Sequence, residues 1–209
     1  MLYEVVLDAG ETPNKCTIAP LAHRGDFKLF RVKKGATLGP FVSQILLHPE
    51  GECLSTLVKA GRLRPASSAV GPVVSESTVT GIATIDCIWR RLDTLLGRVK
   101  GELPVLAKIP PGIVTAYPRR SKLTDDPEGG LATIEAIFVA AALVGRWDLS
   151  LLSEYHFGAD FLSLNHKRLQ ELGALPEGRA LSDFEIPAPR SRERNAATRR
   201  RDRGRRAIR

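Results

Sequence analysis

No apolar run in this chain approaches the roughly 18 residues that a membrane span requires. The opening residues, MLYEVVLDAGE, lack the basic-then-apolar order of a secretory signal. The chain is therefore expected to be cytoplasmic, with no membrane partner. Cysteine is scarce: Cys16, Cys53 and Cys87 are odd in number, far apart and without a CxxC pair, which argues against a disulfide framework and a zinc knuckle. The four histidines, His23, His48, His156 and His166, are equally scattered, so no metal centre is expected. There is no internal repeat, and 209 residues suit one sizeable domain rather than two.

Excess charge is also missing from most of the chain. The net +8 suggests a nucleic-acid binder, but residues 190–209 hold ten arginines against Glu193 and Asp202 and carry all of it. Residues 1–189 balance 21 basic against 21 acidic side chains. Ile208 is the one large aliphatic residue of the tail, which cannot bury enough surface to fold alone and reads as a disordered basic arm. Residues 174–189, punctuated by proline, read as a linker.

What the chain does have is centred on GIATIDCIWRRLD, residues 81–93. The mostly apolar run 82–85 reads as a buried strand and stops at Asp86. Beyond it Leu92, Leu95, Leu96 and Val99 recur at helical spacing. One acid and one indole, Asp86 and Trp89, thus sit where a strand gives way to a helix, the place where open α/β sheets bind ligands. Two readings stand side by side: a functional site, or a helix cap at Asp86 with Trp89 in the core.

Around this stretch, residues 2–7, 27–32, 43–47 and 103–107 read as strands, the third ending at Leu47-His48-Pro49, where Pro49 steers His48 away from helix. A short helix follows Pro20 and another covers 54–60. Residues 62–77, RLRPASSAVGPVVSES, read as an exposed insertion. Residues 113–118 read as extended. Residues 131–144 form the most hydrophobic helix, apolar around most of its circumference and interrupted by Glu135, which is either an acid favoured by the helix dipole or a functional group. Residues 148–155 and 158–172 read as further helices, the latter stopped by Gly173. Strands, then alternation, then helices give an α/β domain: a mainly parallel sheet with flanking helices and a helical C-terminal part.

In chain order, Lys15-Cys16-Thr17, Leu47-His48-Pro49, Ile85-Asp86-Cys87-Ile88-Trp89, Leu103-Pro104-Val105-Leu106-Ala107, Thr133-Ile134-Glu135-Ala136 and residues 157–165, FGADFLSLN, resemble the small-subunit ribosomal RNA aminocarboxypropyltransferases. The resemblance runs from about residue 3 to 172. It implies a knotted, SPOUT-like cofactor site in the C-terminal part, an exception to the general rule against threaded chains. It divides residues 1–173 into an N-terminal part, about 1–80, and a knotted cofactor-binding part, about 81–173. It further implies that S-adenosylmethionine is bound and that its 3-amino-3-carboxypropyl group is transferred to N3 of a modified uridine, with ribosomal RNA as partner and no oligomer required.

By position, the resemblance assigns Thr17 to the amino-acid portion, and Leu47, Pro49 and Trp89 to the adenine or the cofactor pocket. Backbone groups around Leu103, and from Leu131 to Thr133, are assigned to the adenine edge, and Asp86 to the reacting centre as a base. Three departures stand out. Ile88 replaces a serine, residues 109–117, IPPGIVTAY, replace an Asn-Pro-x-Asn-Tyr-Gly segment, and an insertion lies near residues 54–72. Tyr117, Arg119 and Arg120 either substitute for the lost segment, by base stacking and phosphate contact, or form a solvated basic turn. A methyltransferase of the same knotted class and a non-catalytic RNA-binding assembly factor are the competing functions.

Overall fold

The computed structural model describes residues 1–10, 16–33, 35–63, 79–118 and 130–185. The arginine-rich tail, Arg119, Arg120 and nearly all of the 62–77 insertion lie outside the described residues. Strands β1 (Leu2–Leu7), β2 (Phe27–Arg31), β3 (Ile45–Cys53), β4 (Gly81–Asp86) and β5 (Val105–Lys108) form one sheet in the order β2-β1-β4-β3-β5. Every pair is parallel. Helices α1 (Leu54–Lys59), α2 (Leu92–Leu96), α3 (Thr133–Leu143) and α4 (Gly158–Glu171) accompany it. Among the described residues no helix is long and apolar enough to cross a membrane.

Side chains alternate across the sheet and so feed two apolar layers. Tyr3, Val5, Leu7, Ile45, Leu47 and Ile82 pack with the buried residues of α3 and α4. Val6, Leu46, Ala83 and Ile85 pack on the opposite face with Leu92 and Leu95 of α2. Because β4 is central and covered on both faces, its residues Gly81 to Ile85 are all buried, which is why GIATI carries no polar alternation. Helix α3 is buried from Ile137 through Leu143, as its all-round hydrophobicity requires.

A buried acid anchors one crossover. Glu4 is fully buried, and its Oε2 accepts hydrogen bonds from the Val42 and Ser43 amides, 2.9 Å each, and from Ser43 Oγ at 2.8 Å. Burial pushes the Glu4 carboxyl up, but the donors from Ser43, Val42 and Lys28 outweigh it and hold the group below the ordinary glutamate range.

The structure extends the third strand beyond its expected end. β3 runs past Pro49 to Cys53, but Leu47 and Glu52 both face Ala107 of β5, so residues 48–51 leave the ladder as a bulge. Pro49, without an N–H, is tolerated there because no ladder bond is asked of it. Gly51 brings the strand back against β5 so closely that a Cβ would lie 2.5 Å from the Ala107 nitrogen. Elsewhere the elements are shorter than their periodicity suggests. Residues 89–91 form a 3-10 turn before α2, which ends at Leu96, and residues 149–152 form a 3-10 turn rather than an α-helix. Residues 113–118 carry no strand.

Candidate active site

Strands β1 and β4 end together, Leu7 opposite Asp86, and the Asp8 amide donates to the Asp86 carbonyl at 3.0 Å. The half-buried Asp86 carboxylate faces α3. Its Oδ1 accepts from Thr133 Oγ1 at 2.8 Å and its Oδ2 from Cys16 Sγ at 3.1 Å. Beside it, Thr17 Oγ1 accepts the Ile134 amide at 3.3 Å. One carboxylate therefore ties together the loop after β1, the end of β4 and the first turn of α3. Burial, reinforced by the Asp86 charge and hydrogen bond, pushes the Cys16 thiol up to about 12. At neutral pH it keeps its proton and serves as a donor.

Helix α3 is fixed against its approach segment by a second acid. Glu135, fully buried, accepts from the Ala132 amide at 2.8 Å, Thr115 Oγ1 at 2.6 Å, the Ala116 amide at 2.9 Å and Tyr155 Oη at 2.7 Å. With four donors converging on it, Glu135 is a clasp for residues 115–116, and the dipole reading describes only part of its role. Asn165 of α4 completes the grip, accepting from the Val114 amide and donating to the Val114 carbonyl, each at 2.7 Å. The segment that departs from the family pattern is thus held at three consecutive residues.

Other expected residues are placed as follows. Leu47 is buried in the layer under α3, and Leu131 packs on that same layer. Pro49 is exposed on the bulge and Leu103 is exposed just before β5. Trp89 is half-buried and packs on the α2 layer, on the opposite face from the Asp86–Thr133–Cys16 cluster. The Tyr117 ring meets Phe157 edge-on, with centroids 6.0 Å apart, and packs on the core. The structure therefore unites Thr17, Asp86 and Thr133 directly, brings Leu47 and Leu131 to the same layer, and sets Trp89 across the sheet.

Sequence reasoning passed over Cys16 as a partner of Asp86, although it sits next to Thr17 in a quoted motif. It also missed the ion pair between the buried Asp8 carboxylate and the partly exposed Arg91, for which no local pattern exists. His48 is buried. Its Nδ1 accepts the Glu50 amide at 3.2 Å, while Nε2 lies 3.8 Å from Asp93 Oδ1, beyond hydrogen-bond reach.

The chain is 30% identical over 124 residues to the 16S rRNA aminocarboxypropyltransferase of Halobacterium salinarum, a match spanning 56% of this chain and 70% of that protein. The chain belongs to this aminocarboxypropyltransferase family. Its fold is similar to that of the SAM-dependent rRNA:acp-transferase Tsr3 from Vulcanisaeta distributa, with a TM-score of 0.52, 23% identity and 83% of each chain covered. No family model matches the chain. For this aminocarboxypropyltransferase-family chain, the parallel sheet expected from the strand and helix alternation is present, and the Asp86 cluster stands at its carboxyl edge.

Proposed function

We propose that this chain transfers the 3-amino-3-carboxypropyl group of S-adenosylmethionine to N3 of a modified uridine in small-subunit ribosomal RNA. The observation that carries the reading is the Asp86 cluster, an oriented carboxylate at the carboxyl edge of a parallel sheet in a chain of this family. The groups present suit the cofactor. Hydroxyls at Thr17 and Thr133 and the first turn of the eleven-residue α3 suit a zwitterionic tail, and the aliphatic Leu47 and Leu131 suit a flat base. In this reading Thr17 holds the amino-acid portion and Leu47, Pro49 and Leu131 pack the adenine. Backbone groups near Leu103 and through Leu131 to Thr133 meet the adenine edge, whereas Trp89, packed on the α2 layer, takes no part in this pocket. Bound S-adenosylmethionine supplies a sulfonium with three electrophilic carbons, of which the one presented in line is transferred.

Asp86 is the residue assigned to take the N3 proton. Each carboxylate oxygen has two lone pairs, and each accepts one bond from Thr133 or Cys16, so one acceptor site per oxygen remains. The two donors fix the direction of those sites, which is the part of base catalysis that a structure can supply. Tyr117, Arg119 and Arg120 are assigned to the RNA, by base stacking and phosphate contact.

The same reading takes the cofactor site as a SPOUT-like trefoil knot and residues 1–173 as one unit, with parts of about 1–80 and 81–173. Residues 174–189 form its linker, and the arginines of residues 190–209 contact phosphates without regard to sequence. The protein acts in the cytoplasm and needs no second copy. The test is the by-product of incubation with S-adenosylmethionine and small-subunit ribosomal RNA. Methylthioadenosine is expected. S-adenosylhomocysteine would instead make the chain a methyltransferase, and neither product would make it a binding factor.

A further inference from the structure

We infer that Asp8 and Arg91 form a phosphodiester clamp for the RNA substrate, in which Arg91 makes the contact and Asp8 is the positioning residue that aims it. The inference rests on the RNA-modifying reading above.

The pair stands past the carboxyl ends of β1 and β4. Asp8 follows β1, and its side chain is only 2% exposed, while Arg91, in the turn between β4 and α2, is 37% exposed. Arg91 Nη1 donates to Asp8 Oδ2 at 2.5 Å. The other oxygen, Oδ1, is buried without a hydrogen-bond partner, so the pairing is one-point rather than the two-point fork that Arg and carboxylate prefer. Of the five guanidinium N–H donors, the pair engages one. A buried carboxylate thus restrains a long side chain, lowering the entropy it loses on meeting an anion, and leaves most of its donors at the surface. Gly10 lies beside the pair, where a Cβ would sit in ordinary contact, 3.7 Å from both Arg91 Nη1 and Asp8 Oδ2.

Two further observations favour an RNA phosphate over the cofactor's carboxylate. Asp8 and Arg91 lie toward α2, across the sheet from the Thr17 and Thr133 hydroxyls. The same edge is also basic: Arg31 and Lys33 are exposed where β2 leaves the sheet beside β1, with Arg31 in register with Leu7, and Arg90 is exposed next to Arg91. Of the nearby acids, Asp8 is consumed by Arg91, and Asp93 stands exposed on α2. The backbone bond from Asp8 to Asp86 couples the clamp to the reacting end, so a phosphate held there sets the depth at which the neighbouring base enters.

The test uses the full chain and 16S rRNA transcribed in vitro, with RNA affinity measured across a salt series and S-adenosylmethionine affinity measured by calorimetry. The double variant Asp8→Asn, Arg91→Ala removes the cation without stranding a buried charge. It should bind RNA about tenfold more weakly, with a salt slope shallower by about one, and bind S-adenosylmethionine as the wild type does. Asp8→Asn alone should weaken RNA binding while leaving the salt slope intact, which a purely structural role would not produce. Unchanged RNA affinity in the double variant overturns the proposal. A loss confined to S-adenosylmethionine affinity also overturns it and gives the pair to the methionine carboxylate. If the double variant does not fold, Arg91→Gln decides by the same criterion, since it removes the cation and keeps an amide donor for the buried Asp8 carboxylate. RNA binding is read without turnover, so a wild type that releases no methylthioadenosine overturns the reading of function and leaves the clamp to be judged separately.

Discussion

Glu135 offers the sharpest test of how the site is held. Glu135→Gln keeps the volume and shape of the side chain, so no cavity opens and the change isolates hydrogen bonding. The carboxylate accepts four donors, two on each oxygen: Ala116 N–H and Tyr155 O–H on Oε1, and Thr115 O–H and Ala132 N–H on Oε2. A glutamine has one oxygen and one NH2, so in either orientation one backbone N–H faces the NH2 and loses its acceptor, while the hydroxyl beside it keeps a bond only by turning to accept. Hydrogen bonds to a charged acceptor contribute about 1.5–3 kcal/mol each and neutral ones about 0.5–1.5, so losing one bond and removing the charge from the other three together remove about 3–6 kcal/mol. That is a large share of the roughly 5–15 kcal/mol that holds a domain together.

With a urea slope near 2 kcal/mol per molar, the unfolding midpoint should fall by about 1.5–3 M. Tyr155→Phe removes one donor and leaves the carboxylate intact, so its cost should be nearer 1 kcal/mol. Because the two residues share one bond, the double variant should cost less than the sum of the singles. A Glu135→Gln midpoint within about 0.3 M of wild type would refute the reasoning. It would mean that the donors find water or each other when the carboxylate is gone, and that the clasp does not hold residues 115–116.

Asp86→Ala should lower turnover far more than RNA affinity, and Thr133→Val, which removes only the 2.8 Å bond that aims the carboxylate, should lower turnover by less; equal turnover of Asp86→Ala and wild type would remove Asp86 as the base. Thiol alkylation followed by mass spectrometry at pH 8 should label Cys53 well before Cys16. Burial raises the Cys53 thiol, but bonds from Ser55 and from the Ser55 and Thr56 amides bring it below its ordinary value, whereas Cys16 is pushed up to about 12. Glu4, held below its unfolded value of about 4.3, contributes stability that is present above that pH and is lost as pH falls through the folded value. Glu4→Gln should therefore flatten the acid limb of a stability–pH curve, and an unchanged limb would assign the acid sensitivity elsewhere.

Much of the fold was legible because its signals are local. The buried run 82–85 with a carboxylate at its end, the all-round hydrophobic helix after residue 131 and the Gly173 stop each depend on neighbours in sequence, and each stands where the pattern put it. The departures come from tertiary context. Pro49 marks a strand end by local chemistry, yet β3 carries it in a bulge because β5 offers a second stretch of pairing beyond. Leu96 ends α2 although Val99 continues the helical spacing, because residues 97–99 turn to meet Leu38. Thr17, Asp86 and Thr133 stand together at the carboxyl edge. Cys16 as their fourth member, Glu135 as an acceptor from Thr115, Ala116 and Tyr155, and the Asp8–Arg91 pair depend on contacts 19 to 83 residues apart, which no spacing rule encodes.

These long-range polar contacts have a common logic. The apolar layers fix the sheet and α3 as bodies, but hydrophobic burial is non-directional and cannot aim a hydroxyl or a carboxylate. The residues around the carboxyl edge that lie outside regular elements, 16–18 and 113–118, are each held by hydrogen bonds from or to a buried or half-buried polar side chain. Asp86 and Thr17 tie the first of these segments to α3, and Glu135 and Asn165 tie the second to α3 and α4. Variants at these polar groups should therefore differ from core variants in kind. Thinning the layer, for example at Ile137, should cost stability while leaving the cofactor affinity of the folded fraction intact. Loosening Asn165 by replacement with Asp, which turns its donor to the Val114 carbonyl into an acceptor, should weaken S-adenosylmethionine binding even where the protein remains folded. Calorimetric titration of the folded Asn165→Asp variant decides the point: an affinity equal to wild type would show that the 113–118 segment keeps its shape without the α4 contact, and that its hold on the pocket resides in Glu135 alone.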